Sequence, residues 1–208
     1  MEGGMRTWLR RRRPAHTAEI VIARYREDVS WARRLPYRVT VYNKGGDWRG
    51  GIRLPNVGRE SHTYLYHIVT RYERLADATV FLQGDPFPHR PDLREALETL
   101  IGTPERLATF CSRTHYAELS AFRITFDGRG GPHHPWLPLA EMYADLFGEV
   151  CPPLLVCRAN GLFAASRSRI HQRPRTFYVR CCEMLSHDRD PLEGYVFERL
   201  WHIIFGET

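Results

Sequence analysis

The run Glu19-Ile20-Val21-Ile22-Ala23-Arg24-Tyr25 constrains this chain more than any other stretch. It is short, β-branched and apolar at consecutive positions, so a strand built from it must be covered from water on both faces. That is the pattern of a buried parallel strand with helices on either side. The run closes at Arg26-Glu27-Asp28, and Val29 to Leu35 then forms a short helical stretch. Pro36 ends it, because a proline ring disfavours helical backbone at the residue before it. Tyr37-Arg38-Val39-Thr40-Val41-Tyr42 follows as a second strand and Ala78-Thr79-Val80-Phe81-Leu82 as a third. Together they predict one α/β domain with a mostly parallel central sheet flanked by helices. Ligands of such sheets gather beyond the carboxyl ends of the strands. Two segments stand there, Asn43-Lys44-Gly45-Gly46-Asp47 and Gln83-Gly84-Asp85-Pro86.

With 208 residues the chain has room for one domain with a sizeable core. Residues 1–18 carry Arg10-Arg11-Arg12-Arg13, then Pro14, and little that is apolar, which predicts a flexible arginine-rich arm ahead of a domain spanning 19–208. Within that domain, apolar residues at Tyr64, Leu65, Ile68, Val69 and Tyr72 mark a helix opened by Glu60. Further helices are expected from Asp92 to Ile101, Leu137 to Phe147, Tyr178 to Leu185 and Tyr195 to Phe205, with a turn or helix from Arg167 to Ile170. Ala121 to Phe126 reads as a strand, while Pro153 to Cys157 and Leu162 to Ala165 read as two short extended pieces. Asp127-Gly128-Arg129-Gly130-Gly131-Pro132 is a flexible loop with the composition of a lid.

No stretch of about 18 uninterrupted apolar residues exists, so no transmembrane segment is expected, and no signal-peptide core follows the basic start. The expected location is cytoplasmic. The formal net charge is +6, and Lys44 is the only lysine. Arginine's planar fork suits phosphates and carboxylates, although an arginine-biased codon supply produces the same composition. No nucleic acid is expected as a partner. The five cysteines are odd in number and contain no C-x-x-C pair, which points to reduced thiols rather than a disulfide framework or a zinc ribbon.

Five constellations have the residue types that carry chemistry. In Asn56-Val57-Gly58-Arg59-Glu60 a small backbone lets a ligand approach a helix N-terminus, where an anion is welcome; equally, Gly58 makes the turn and Glu60 complements the helix dipole. His62 and His67 do not share a helical face, so separate roles are expected. Asp85 with His89, just past Gln83, offers a carboxylate and an imidazole to a magnesium or manganese ion on a diphosphate, or forms a plain strand-end turn. Pro132-His133-His134-Pro135-Trp136 suits a loop that closes over a ligand, with His134 catalytic and Trp136 stacking. Glu193 and Glu198 stand near the start of the last helix, and either serves as a general base if it faces a cleft. The phosphate-binding, dinucleotide-binding, nucleophile-elbow and zincin motifs are all missing.

The segments Val21 to Trp31, Leu54 to Leu65, Val80 to Gly84, Phe163 to Arg167 and Glu198 to Gly206 resemble the family known as domain of unknown function 3431. That likeness covers about residues 19–206 and implies no settled activity. More distantly, the order of parts is similar to GT-A-type glycosyltransferases, which bind a nucleotide-diphospho-sugar on a Rossmann-like sheet. This resemblance implies a nucleotide-sugar donor and a hydroxyl acceptor, either a glycan or a small molecule. It places Asp28, Arg24 and Asn43 near the nucleoside, with Asn56, Arg59 and Glu60 on the donor-side loop. Asn160-Gly161-Leu162-Phe163-Ala164-Ala165-Ser166-Arg167 looks like the acceptor-side strand, and Glu193 or Glu198 falls where a carboxylate base is kept. Gln83 replaces the first acid of the family's Asp-x-Asp metal motif and leaves Asp85 as its only counterpart. Two other classes stay open: a metal-dependent enzyme with ligands from His62, His67, Asp85, His89, His133 and His134, and a non-catalytic module that binds a nucleotide or glycan.

Overall fold

The computed structural model describes residues 16–112, 116–127, 134 and 136–206. Its elements run β1 (Ala18–Arg24), a 3-10 turn (Ser30–Arg34), β2 (Arg38–Asn43), β3 (Ile52–Arg53), α1 (Arg59–Arg71) and β4 (Ala78–Gln83). They continue with α2 (Leu93–Ile101), α3 (Pro104–Ser112), β5 (Tyr116–Phe126), α4 (Leu139–Phe147), β6 (Leu155–Ser166), α5 (Arg167–Ile170), α6 (Arg175–Met184) and α7 (Leu192–Ile204). The strands form one six-stranded sheet in the order β3-β2-β1-β4-β6-β5.

The consecutive apolar residues that begin at Ile20 build β1, paired in parallel with β2 on one side and β4 on the other. Its side chains alternate between two cores because successive residues of a strand point to opposite faces. Val21 and Ala23 join a core with Tyr64, Phe163 and Trp201, whereas Ile20 and Ile22 join one with Leu93, Leu97 and Phe110. The first core lies under α1, α4, α6 and α7. Its centre is aromatic, with ring centroids 4.9 Å apart for Phe81 and Phe163 and 5.1 Å for Phe163 and Trp201. The arginine-rich arm, up to residue 15, and the glycine loop from 128 to 133 lie outside the described residues.

The sheet is mixed rather than mostly parallel. β3, β2, β1 and β4 run parallel, but β6 pairs antiparallel with β4, and β5 antiparallel with β6. Among the described strands β5 is at the edge and pairs with β6, and its mix of buried and exposed positions is what an antiparallel strand tolerates when one side faces water. β6 is one continuous strand where the sequence suggested two pieces, with Gly161 lying inside it at a register shift of the ladder to β5. α3 has no counterpart in the sequence reading.

This topology sets up the site. Arg24 of β1 is in register with Asn43 of β2, and Ala23 with Gln83 of β4, so three parallel strands end at one edge.

Candidate functional site

Two arginines organise that edge. Arg24, the last residue of β1, is buried, and its guanidinium donates to the Glu27 carbonyl at 2.9 Å, to Asn43 Oδ1 at 2.8 Å and to both Asp47 oxygens at 2.7 and 3.0 Å. It also lies 5.2 Å from the Trp48 ring centroid. Asn43 in turn donates to the Trp48 carbonyl at 2.6 Å and accepts from the Gly45 amide at 3.2 Å. The loops after β1 and β2 are thereby tied together. Glu27 ties down the first of them by accepting from the Tyr25 and Arg26 amides at 2.7 and 3.1 Å. Asp28 accepts from the amide and hydroxyl of Ser30, and these bonds hold its carboxyl below the usual range.

Arg59 opens α1 from an unusual backbone. Gly58 and Arg59 are both left-handed, at φ +63° and +51°. Gly58 has to be glycine for space as well, since a Cβ there would come within 2.7 Å of the Leu185 backbone oxygen. Lys44, buried after β2, donates its ammonium to the Val57 and Arg59 carbonyls and so holds this turn from beneath. Burial pushes its amine down to about 8.

From that turn the Arg59 guanidinium reaches Asp190 Oδ1 and Glu198 Oε1, both at 3.1 Å, while its Nε stands 3.9 Å from Glu60 Oε2. It lies 4.0 Å from the Tyr195 ring centroid, and the His134 ring is 3.8 Å from that of Tyr195. Burial works against the charge of Arg59, but Glu60, Glu198 and Asp190 outweigh it and hold the group protonated. The Glu198 carboxyl is pushed well above the usual glutamate range by burial and then by the neighbouring Glu60 carboxyl.

Three hollows adjoin along this edge, of about 660, 400 and 240 Å³. The first is walled by Asp28, Tyr37 and Trp48, the second by Lys44, Asn56, Glu60, Asp85 and Arg189, and the third by His89, Ser120, Phe122, His134, Tyr195 and Glu198. The first two share Arg24 and Glu27, and the last two share Arg59 and Gln83.

Most of the residues singled out from sequence therefore line this trough-like series of hollows; Trp136, Glu193, Asn43, His62 and His67 line none of them. Trp136 is 86% exposed and lines none of the three hollows. Glu193, in the first turn of α7, faces His187 at 3.7 Å instead. Arg24 and Asn43 do reach the edge, but their donors and acceptors are spent on the loops. Asp85 and His89 are not brought together: each lines a different hollow, and Asp85 Oδ1 accepts the Phe87 amide at 3.3 Å. Among the described residues no group of three or more His, Cys, Asp and Glu side chains is arranged to hold a metal ion. His62 and His67 are both buried in α1, which lowers them to about 4 and about 3, and His67 Nδ1 is 3.1 Å from the Tyr42 hydroxyl. His133 lies outside the described residues.

Sequence reasoning missed Lys44, Asp190, Tyr195 and Gly161 as site residues. The one available signal was Lys44's uniqueness, a sole lysine at the end of a parallel strand. A Cβ on Gly161 would meet Gln83 Nε2 at 2.9 Å and Glu60 Oε1 at 3.4 Å, so both side chains rest against a bare backbone.

A family model described as "Protein of unknown function (DUF3431)" matches residues 20–208. No curated protein and no solved structure matches the chain. Among the described residues no helix is long and apolar enough to cross a membrane.

Proposed function

The chain belongs to the family of proteins of unknown function DUF3431, and from the trough itself we propose that it is a cytoplasmic glycosyltransferase-like enzyme, moving a sugar from a nucleotide-diphosphate donor to a hydroxyl acceptor. The observation that carries this reading is the series of three hollows with a carboxyl pair at the last junction. Group transfer needs donor and acceptor held side by side, with a base within reach of the attacking hydroxyl. In this reading the nucleoside occupies the first hollow between Tyr37, Trp48 and Asp28. The diphosphate lies in the second against Lys44, Arg59 and Arg189, and the acceptor enters the third beside Gln83, His134 and Glu198.

The acceptor oxygen attacks the sugar carbon, its proton passes to the glutamate carboxylate, and the bond to the diphosphate breaks with its electron pair going to the leaving oxygen. Cations in the second hollow stabilise that charge as it develops. Asp85 and His89 do not converge on a common point, so no step is assigned to a bound metal. Glu198 rather than Glu193 is the base, because only Glu198 lines the trough. The five cysteines are all unpaired, in keeping with a reducing compartment.

Thermal-shift measurements against nucleoside diphosphates and their sugar conjugates test the reading. A ligand that binds only the folded state raises the melting temperature with its concentration, and one nucleotide is expected to stand out. A flat response to every nucleotide and nucleotide sugar overturns it.

A further inference from the structure

Glu60 and Glu198 come from the first turn of α1 and the second turn of α7, and both face the guanidinium of Arg59. Two carboxylates crowd one guanidinium in a buried place, with Asp190 adding a third acid on the solvent side. Glu60 Oε1 is buried, and no N–H or hydroxyl among the described residues donates to it. The Glu198 carboxyl stands on the same guanidinium, its Oε1 3.1 Å from Arg59, and a proton kept on one of the two carboxyls supplies the donor that the other lacks. A buried carboxylate oxygen without any donor costs several kcal/mol, on the order of the penalty for an unpaired charged group.

We infer that Glu60 and Glu198 form a single acid–base unit that holds one proton between them and spans two hollows. Glu60 lines the second hollow and Glu198 the third. Resting on the transferase reading, this gives the unit a direction. The acceptor proton enters at Glu198, the shared proton moves fully onto Glu60, and Glu60 releases it to an oxygen of the departing diphosphate. The pair ends with one proton, as it began. Burial, and then the mutual repulsion of the two acids, holds the Glu198 proton above the usual glutamate range. Arg59, Lys44 and Tyr64 face the pair from the α1 side, and Asp190, Tyr195 and Arg199 from the α7 side.

The test is a pH titration of the full chain labelled with carbon-13 at its glutamate carboxyls, followed by NMR. The wild type is expected to show one carboxyl titrating well above the others. Glu60→Gln and Glu198→Gln should each lose that titration, and Glu193→Gln should keep it. If every glutamate of the wild type titrates in the ordinary range, or if Glu60→Gln leaves the high titration unchanged, the shared proton is ruled out. The first of these outcomes needs only the wild type, whatever the variants' folding. The titration uses no nucleotide, so a high titration without any nucleotide-induced thermal shift sinks the transferase reading and leaves the acid–base unit standing. The converse pattern sinks the unit alone.

Discussion

Arg24 and Arg59 stand at the same edge of the sheet and differ in how their charge is met. Arg24 is closed. One aspartate takes it through two short bonds, Asn43 and backbone carbonyls fill its remaining donors, and the cluster is balanced. Arg59 is open. Three acids surround it, one of them at 3.9 Å from its Nε, and the two buried ones crowd the same guanidinium. A closed cluster fixes loops. A crowded one holds a proton and a poised charge, which is what chemistry on a hydroxyl requires.

Substitutions can separate the two roles. The largest effect is expected at Gly58, on whose left-handed backbone Arg59 is mounted. Gly58→Ala adds a strained φ and a contact with the Leu185 backbone, and should cost about 3 kcal/mol in urea unfolding. A loss under about 1 kcal/mol would show that the turn yields and that Arg59 needs no rigid mount. Arg24→Ala comes next, expected to cost about 2 kcal/mol because it takes the arginine donor from Asp47 and from the Glu27 and Tyr25 carbonyls. If it also abolished ligand binding while leaving stability intact, the closed cluster would be the functional one and the comparison would reverse.

The smallest effect has the opposite sign. The folded state holds the Glu198 proton above the pH at which the unfolded chain releases it, so between those two points the folded state binds more protons. Stability therefore falls as pH rises from the ordinary glutamate range to the raised folded value, and stays level beyond it. Glu198→Gln removes that fall. It should stabilise the protein by about 1 kcal/mol at neutral pH and by nothing below about pH 4, measured by thermal or urea unfolding at both. A variant equally unstable at both would contradict a retained proton.

The two central parallel strands, β1 and β4, were legible because each is covered on both faces and says so in consecutive apolar residues. Ile20, Val21 and Ile22, or Val80, Phe81 and Leu82, leave little else to fold into. The antiparallel half of the sheet was not. β5 shifts register between Glu118 and Ser120 and again between Ser120 and Phe122, and such irregularities erase the alternation on which strand reading depends. Gly161 inside β6 imitates a loop. At the candidate site, the carboxyl ends of β1, β2 and β4 pointed to the edge where Arg59, Glu60 and Gln83 line the hollows. The contact of Glu60 with Glu198 joins helices at opposite ends of the chain, and no local spacing encodes it. Arg24 and Asn43 stand at the same strand ends, but their bonds to the neighbouring loops, which no spacing in the sequence announces, occupy their donors and acceptors.

Lys44 carries the only side-chain amine in the molecule, and at the wall of the second hollow that amine is held by two carbonyls of the turn that presents Arg59. An acylating reagent can react with it only when the turn lets it go. The rate of labelling at that one position is therefore a built-in clock for how often the mouth of the trough opens, and a molecule that settles on Arg59 should slow the clock.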